Sequence, residues 1–413
     1  MEFNSLLIRI IGVSMDFSKK ESLFEPGHPV SPDRFNGRED IIRDILKYFP
    51  SVKSGNPQHF FITGKRSMGK TSLANFISYF ACKNYSMVTA HIRSVNISTI
   101  DELVVQIIER ILNSIKSEKW SDKLFKLLEN HIESVGFGGL NIKFKPTDDE
   151  LVNIKDNLAF YLSDLVSNFK DKDGLFIVID DINGLSQTPD FANWYKSFAD
   201  TLATSVDNAP ICMMLTGYPE KFRRLYDYNP SVNRIFHTHE MKGLSNDDIE
   251  NFYMTIFSSY DMSISREALA NMTEYSSGMP TMMQEIGDAT FWKDTDGYID
   301  NGDALAGVIE AGNRIGLKYL QPLLDNRIRS ENYLSLFKKI GKKLATTPNS
   351  TFTKKEFENV LNESESKVFA DFINRAKKLG IIELASSKKQ GEYQFTNQLY
   401  PIYFLIQAVL EEK

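Results

Sequence analysis

The sequence predicts an α/β protein in which a parallel sheet is covered by helices, followed by a helical region and a small mixed C-terminal domain. Three observations lead to this prediction. Short apolar runs, continuous rather than alternating, recur between helical segments, as expected for strands buried on both faces. One of these runs ends in a glycine-rich loop that opens a helix. After Leu244 the strand patterns stop and helical periodicity takes over.

The bulk composition is that of a globular protein with a sizeable core. The chain has 413 residues, which at about 150 residues per domain indicates two or three domains. It is 42% hydrophobic and 25% charged, with a net charge of −6. This acidic balance argues against a protein that coats nucleic acid or an anionic membrane with its whole surface, while a local basic patch remains compatible.

The N-terminal residues and the cysteines bear on location. The start resembles a secretory signal only loosely, because Arg9 interrupts its apolar stretch. Met15 offers a second start, so the choice between Met1 and Met15 stays open. No run of about 18 apolar residues occurs, so we expect no membrane partner. Cys82 and Cys212 each lie in an apolar run, which predicts two buried, reduced thiols and a cytoplasmic protein.

The elements of the predicted sheet can be assigned in order along the chain. Three prolines make residues 24–33 a loop, and a helix is expected over 38–49. Helices are also predicted after the glycine-rich loop and over 100–115. Strands are predicted over 59–63, 87–95, 175–179, 211–215 and 238–241.

A small β insertion is predicted between two helices of this region. Residues 140–145 alternate apolar and polar side chains, the period of a half-buried strand. The preceding glycines at 136, 138 and 139 predict a turn. They are not a second phosphate loop, because no Lys-Ser or Lys-Thr pair follows them.

The glycine-rich loop has the pattern G-x-x-x-x-G-K-T and lies between a strand and a helix. Its glycines let successive backbone N–H groups surround an anion, and the helix dipole favours negative charge. Lys70 would reach the β- and γ-phosphates of ATP, and the Thr71 hydroxyl would bind Mg²⁺. We therefore predict nucleotide contacts from Gly64, Lys65, Arg66, Ser67, Met68, Gly69, Lys70, Thr71 and Ser72.

Polar residues follow two further strands. Asp180 and Asp181 end the run at 175–179, where Asp180 would hold Mg²⁺ and Asp181 would orient or deprotonate the attacking water. Solvent-facing charges or helix caps are the alternative for this pair. Thr216 ends the next strand, either beside the γ-phosphate or as an ordinary strand-ending threonine.

The order of Phe35-Asn36-Gly37-Arg38-Glu39, the phosphate loop, Asp180-Asp181 and Thr216 resembles the AAA+ and STAND classes of P-loop ATPases. The resemblance is closest to prokaryotic members related to origin-recognition ATPases. It implies a P-loop NTPase sheet of AAA+ type, a helical lid and a winged-helix domain. It also implies that Phe35 and Asn36 lie beside the adenine.

The resemblance also implies roles for an arginine and for a turn in the lid. The family carries an arginine that reaches the γ-phosphate of a neighbouring subunit, and the matching residue here is Arg234, which implies self-association. Arg223 and Arg224 compete for this role. A surface salt bridge is the alternative explanation for Arg234. In place of the lid arginine of many AAA+ proteins, this chain has a G-x-P turn, Gly278 and Pro280, which contacts nucleotide in STAND proteins. A plain helix-start turn is the alternative.

The C-terminal residues predict three helices, the second with Phe357 and Leu361 on its apolar face, and two strands, the content of a winged helix. From residue 331 onward, 13 lysines and arginines face 10 aspartates and glutamates. Duplex DNA is one expected partner and a protein is the other, because Glu363, Glu365 and Asp371 would repel phosphates. The expected phosphate contacts are Arg375, Lys377, Lys378, Lys388 and Lys389.

The resulting prediction is an ATPase whose ATP or ADP state governs conformation or assembly. An aspartate where classical AAA+ members carry glutamate predicts slow turnover, so a regulator that binds ATP and barely hydrolyses it is the alternative. A small-molecule kinase is disfavoured because the lid lacks arginines near its turn. The predicted domains are an extension (1–30), a nucleotide-binding core (31–245), a lid (246–325) and a winged helix (326–413).

Overall fold

A computed structural model describes residues 21–115, 132–135, 141–169, 171–385 and 391–411. The alternative starts at Met1 and Met15, the turn at 136–139 and the candidate contacts Lys388 and Lys389 lie outside the described residues. The chain divides into two compact units. The nucleotide-binding unit is Pro29–Lys242, and the helical unit is Gly243–Lys413 together with the N-terminal residues up to His28.

The strands of the nucleotide-binding unit are β1 (Gln58–Gly64), β2 (Met87–Arg93), β3 (Ile132–Val135), β4 (Asn141–Phe144), β5 (Gly174–Asp180), β6 (Ile211–Gly217) and β7 (His237–Met241). Five of them form a parallel sheet in the order β2-β5-β6-β1-β7. Strands β3 and β4 form a separate antiparallel pair at the predicted insertion. Every residue of β5 and β6 is buried, which explains why their sequences are continuously apolar.

Helices flank this sheet, and two of them begin with capping boxes. Thr99 and Thr147 each accept a backbone N–H of the first helical turn, while Glu102 and Glu150 reach back to the cap. The helices are α1 (Glu39–Leu46), α2 (Phe49–Lys53), α3 (Lys70–Asn84), α4 (Ile100–Ser114), α5 (Asp148–Asp156), α6 (Leu158–Ser167), α7 (Pro189–Thr204) and α8 (Pro219–Tyr228).

The helix predicted over 38–49 is wrong in its extent, because α1 ends at Leu46 and α2 begins at Phe49. Pro50 has no N–H to donate into a continued helix, but it fits the first turn of a new one. Phe49 and Val52 of α2 are fully buried. Burial of such a side chain stabilises the unit by about 1.5–3 kcal/mol.

The helical unit contains eight helices and two short strand pairs among its described residues. The sequence predicts helices without strands directly after Leu244. This prediction is wrong at one place, where β8 and β9 form a two-residue parallel pair. The elements are α9 (Asn246–Ser258), β8 (Ser263–Ile264), α10 (Arg266–Ser276), α11 (Pro280–Lys293), β9 (Tyr298–Ile299), α12 (Asn301–Ile315), α13 (Gln321–Arg327), α14 (Glu331–Leu344), α15 (Glu363–Lys378), β10 (Ile382–Leu384), β11 (Tyr393–Phe395) and α16 (Tyr400–Glu411).

The C-terminal part of this unit differs from its prediction in the second helix. Residues around Phe357 and Leu361 were expected to form a helix, but only a 3₁₀ turn, Lys354–Phe357, is present. Phe357 is still buried there. The two predicted strands are present as the antiparallel pair of β10 and β11.

Residues 21–28 pack into the helical unit. Phe24 is buried against the rings of Phe252, Tyr253 and Phe257. A Cβ atom at position 287 would lie 2.1 Å from the Phe24 ring, so Gly287 is required for this packing. The Glu25 N–H donates to Gln284 Oε1 at 2.8 Å.

Two smaller findings complete the fold. Cys212 is buried as predicted, whereas Cys82, on α3, is exposed, so the prediction of a buried thiol is wrong for Cys82. None of the helices formed by the described residues is both long enough and apolar enough to cross a bilayer.

Candidate nucleotide and magnesium site

The glycine-rich loop joins the end of β1 to the start of α3. Ser67 and Gly69 have φ angles of 66° and 83°, the left-handed region that such a tight loop requires. Gly69 precedes the first helical residue, Lys70. The Lys70 ammonium donates to the carbonyl oxygens of Gly64 and Lys65 at 2.8 and 2.9 Å, so the loop folds around its own cation.

Lys70 is half-buried, and its surroundings shift the pKa of its ammonium group. Burial lowers the pKa of its ammonium below the usual value, although Asp181, Asp180 and Glu220 act in the opposite direction. The Lys70 Nζ atom also lies 4.9 Å from the centre of the Tyr218 ring, a cation–π distance. Tyr218 was not predicted as a site residue, and its only sequence signal is its place directly after β6.

Asp180 is the centre of a hydrogen-bonded group at the carboxyl ends of the strands. Thr71 Oγ1 donates to Asp180 Oδ2 at 2.8 Å, and Thr216 Oγ1 donates to Asp180 Oδ1 at 2.5 Å. The strand order explains this arrangement, because β6 lies between β1 and β5. Thr216 is therefore placed between the phosphate loop and the aspartate.

These contacts determine the charge of Asp180. Its buried position alone would raise the pKa of the carboxyl group, but interactions with His91, Thr216 and Thr71 outweigh burial. The pKa of Asp180 is consequently below its ordinary value. A carboxylate that stays ionised in a buried position is a suitable oxygen ligand for Mg²⁺.

Asp181 has a different environment from its neighbour. Its φ angle is 64°, its backbone N–H donates to Thr216 Oγ1 at 2.9 Å, and its Oδ1 accepts from the Asn183 amide. Burial raises the pKa of Asp181, and the nearby Asp180 charge adds to that rise, against the opposing effect of the Asn183 backbone, Lys70 and Arg66. A raised pKa suits a group that accepts a proton from water.

The sequence analysis also missed His91, on β2, and Ser94, which directly follows that strand. The buried Ser94 hydroxyl lies 2.8 Å and 2.7 Å from the carbonyl oxygens of Asp180 and Asp181. His91 Nε2 lies 3.5 Å from Asp180 Oδ2. The available signal was a polar residue within a strand, but only the pairing of β2 with β5 shows what it faces.

The candidate adenine residues lie before α1. The rings of Phe35 and Phe76 stack at 5.0 Å, and Asn36 Oδ1 accepts the Gly37 N–H at 2.9 Å. Phe35 and Asn36 line a cavity of about 630 Å³ whose lining does not include the glycine-rich loop. Ser72, another candidate contact, accepts the Val30 N–H at 3.2 Å.

Three candidate residues are not part of this group. Arg234 is exposed at the end of a 3₁₀ helix, Pro230–Arg234. Gly278 and Pro280 belong to the helical unit. There Gly278 has a φ angle of 73° and its carbonyl accepts the Leu244 N–H at 2.8 Å, while Pro280 is the first residue of α11.

The candidate nucleic-acid residues lie at the end of α15. Arg375 donates to the carbonyl oxygen of Arg327 at 2.9 Å, while Lys377 and Lys378 are exposed. Glu365, expected to repel phosphates, is buried and paired with Lys339 at 2.6 Å. Its charge is therefore neutralised within the unit.

The geometry fits a magnesium-bound nucleotide. No cluster of three or more histidine, cysteine or acidic residues is arranged as a metal cage in the part of the chain that the structure describes. Mg²⁺ in nucleotide sites is typically bound by one or two protein groups plus phosphate oxygens and water. Thr71 and Asp180 supply such a pair, beside a loop that can bind phosphate.

Comparison with known proteins agrees with this geometry. Residues 34–204 match the AAA ATPase domain family. None of the curated proteins compared with the chain matches it. The Walker-type ATPase of Pyrococcus abyssi is 14% identical, with 92% of this chain and 99% of that chain covered and a TM-score of 0.50. The Aeropyrum pernix ORC2 protein is 13% identical, with 94% and 100% covered and a TM-score of 0.55.

At sequence identities this low, the comparisons establish the fold alone. The five-stranded parallel sheet, the loop between β1 and α3 and the helical C-terminal region are shared features of that fold. The family match covers Lys70 and Thr71 of α3 and Asp180 of β5. Residues 34–204 therefore resemble an AAA ATPase domain, and the chain shares the P-loop α/β fold of the Aeropyrum pernix ORC2 protein.

Proposed function

We propose that the chain is a Mg²⁺-dependent ATPase with slow turnover, whose ATP or ADP state switches its conformation or assembly. The observation that carries this proposal is the group formed by Thr71, Asp180 and Thr216, which joins the phosphate loop to the ends of β5 and β6. ORC2, whose fold this chain shares, was solved in complexes with ADPNP and ADP, which agrees with a nucleotide site.

Each residue has a distinct task in the proposed reaction. The N–H groups of the loop and the Lys70 ammonium bind the β- and γ-phosphates and stabilise charge on the γ-phosphoryl oxygens during transfer to water. Thr71 and Asp180 hold Mg²⁺, which neutralises phosphate charge when bound. Thr216 orients Asp180 through Oδ1 and Asp181 through its backbone N–H.

Asp181 would act on the attacking water. Its raised pKa favours proton acceptance, but Asn183 already occupies one of its carboxylate oxygens. Aspartate also reaches less far than the glutamate of related ATPases. These features support slow turnover, and they favour a second candidate function in which ATP is a structural ligand of a regulator.

The C-terminal domain is proposed to bind the partner of this switch. Lys377 and Lys378 are exposed at the end of α15, and burial of Glu365 removes one of the acids that would repel phosphate. Duplex DNA bound by a winged helix and a protein partner both fit these residues. The basic end of α15 supports DNA as the first partner to test.

The test measures nucleotide affinity and phosphate release separately. Fluorescent ATP would be titrated with wild type, Lys70→Ala, Asp181→Asn and a control, Lys196→Ala, whose lysine pairs with Asp200 on α7. Phosphate release would be followed with and without duplex DNA. We expect Lys70→Ala to abolish both signals, and Asp181→Asn to retain binding and lower release about 10²-fold or more.

The outcomes separate the two candidate functions. Release that depends on both Lys70 and Asp181 supports the ATPase. Tight binding with release at the level of Lys70→Ala identifies ATP as a structural ligand and refutes hydrolysis. Absence of binding in wild type refutes both candidates, provided that Lys196→Ala and wild type show the same folded circular dichroism spectrum.

A further inference from the structure

His91 presents a buried ring nitrogen to the candidate magnesium ligand without completing a hydrogen bond. It lies on β2, the edge strand that pairs with β5. Its Nε2 atom is shielded from solvent and has no hydrogen-bond partner among the residues that the structure describes. Asp180 Oδ2 lies 3.5 Å from it, beyond the length of a well-formed N–H···O bond.

The Asp180 carboxylate has room for this donor. Thr71 donates to Oδ2 and Thr216 donates to Oδ1, while each carboxylate oxygen can accept more than one hydrogen bond. Hydrogen bonds of reactive sites are often long before ligands bind and tighten in the complex. A small movement of either side chain would bring His91 into bonding distance.

A buried nitrogen without a partner is unfavourable, so its presence next to a metal ligand calls for an explanation. Carboxylate ligands of metal ions are themselves oriented by hydrogen bonds from surrounding residues. Ser94, directly after β2, donates to the carbonyl oxygens of Asp180 and Asp181 and leaves the Asp180 carboxylate to His91.

We propose that His91 is a positioning residue for magnesium, which donates from Nε2 to Asp180 Oδ2 in the nucleotide complex and so fixes the carboxylate toward the ion. This inference rests on the proposed function and extends it to the Mg²⁺ requirement. With three donors, from Thr71, Thr216 and His91, the carboxylate has one preferred orientation instead of several. His91 acts through Asp180 and does not contact the nucleotide.

The experiment measures how much Mg²⁺ the nucleotide complex needs. Fluorescent ATP would be bound to wild type, His91→Leu and His91→Gln, first in EDTA and then across a Mg²⁺ titration. His91→Leu removes the donor, whereas the Gln amide restores an N–H near the position of Nε2. His237→Leu is the matched control, because it removes a half-buried histidine from β7, the opposite edge strand.

We expect His91→Leu to raise the half-saturating Mg²⁺ concentration about 10- to 100-fold, with ATP affinity in EDTA unchanged. His91→Gln should return it close to wild type, and His237→Leu should leave it unchanged. An unchanged Mg²⁺ requirement in His91→Leu would overturn the proposal. An equal loss of affinity in EDTA, or failure of His91→Gln to rescue, would also overturn it by showing a purely structural role.

Failure of this inference is distinguishable from failure of the proposed function. If wild type binds no ATP in either condition, the nucleotide site itself is refuted. If wild type shows Mg²⁺-dependent binding that His91→Leu leaves intact, the site stands and only the role of His91 is lost.

Discussion

Asp180 and Asp181 are adjacent in sequence, yet the structure shifts the pKa values of their carboxyl groups in opposite directions. Burial removes water from both carboxyl groups, and this contribution alone would raise both pKa values. Interactions with His91, Thr216 and Thr71 more than compensate at Asp180, whereas Asp181 lies next to the Asp180 charge. One carboxylate thus remains ionised for a metal, and the other is adjusted for proton transfer, the separation of roles expected where two acids share a site.

At the residue scale, we expect the ionised carboxylate of Asp303 to lower the stability of the helical unit at neutral pH. Burial raises the pKa of Asp303 from 3.8 to about 6, with Asp300, Asp294 and Asp296 adding to the rise. A group with a raised pKa favours the folded state below about 4, and this contribution is lost as pH rises toward about 6. Asp303→Asn should therefore stabilise the protein at neutral pH, by about 1 kcal/mol after allowance for solvent screening.

Thermal unfolding of wild type and Asp303→Asn across pH tests this prediction. The difference in melting temperature should be largest at neutral pH and shrink as pH falls below about 4. Asp371→Asn, which removes an exposed acid from α15, controls for the loss of one negative charge. A difference that is the same at every pH would show that the carboxyl titration is not its cause.

At the scale of elements, Glu365 attaches α15 to α14. Its carboxylate accepts from Lys339 and Ser335 of α14, both at 2.6 Å, and from the N–H of Asn362 at its own helix start. Burial would raise the pKa of Glu365, but these donors lower it. The pair therefore stabilises the unit at neutral pH, and this stabilisation is lost as pH falls through the lowered pKa.

Lys339→Ala should lower the free energy of unfolding by about 2 kcal/mol, because it leaves Glu365 buried with its charge poorly compensated. Lys339→Ala combined with Glu365→Gln should recover most of this loss. Lys367→Ala, which breaks the exposed pair with Glu363 on the same helix, should cost less than about 0.5 kcal/mol. Equal costs for the two lysines in denaturant unfolding would contradict the prediction.

Elements that depend on local pattern were predictable, whereas those that depend on long-range pairing were not. The continuous apolar run of β5 and the capping-box helix α4 follow from their own sequences. His91 is part of the site only because β2 pairs with β5, and no neighbouring residue in the sequence indicates that pairing. The pair of β8 and β9 likewise joins residues that are distant in the chain.

Within the candidate site, the prediction was most complete where residue spacing carries the geometry. The motif determines that Lys70 and Thr71 follow the loop, and the acids at the end of β5 follow from the apolar run before them. Their hydrogen-bond partners depend on strand order, which places Thr216 between them. The roles of these residues in binding and hydrolysis remain predictions.

At the scale of the whole molecule, the chain passes between its two units twice, after His28 and after Lys242. In the helical unit Phe24 is buried, and in the nucleotide-binding unit Val30 is held by Ser72, the neighbour of Thr71. Only five residues thus separate a core residue of one unit from a residue of the other unit that contacts the phosphate-loop helix. Such a short covalent connection suits a protein in which nucleotide state changes conformation.

Assembly is the remaining prediction at this scale, and it concerns Arg234. This side chain is exposed and forms no ion pair with any residue that the structure describes, so its guanidinium is available to a phosphate of a second copy. If it acts on that γ-phosphate, phosphate release per molecule should rise with protein concentration in wild type and stay flat and low in Arg234→Ala. Loss of such an arginine costs about 10³-fold or more in related phosphoryl transfers.

A mixing experiment decides whether Arg234 acts between copies of the chain. Lys70→Ala supplies an intact Arg234 but no working site, and Arg234→Ala supplies the reverse, so the two inactive proteins should regain activity when combined. Arg223→Ala tests the competing candidate in the same way, since Arg223 is a second exposed arginine of the same region, on α8. Full activity in Arg234→Ala, or no recovery on mixing, would refute transfer of this arginine between subunits. Recovery requires that one copy complete the site of another, which a surface salt bridge at Arg234 could not produce.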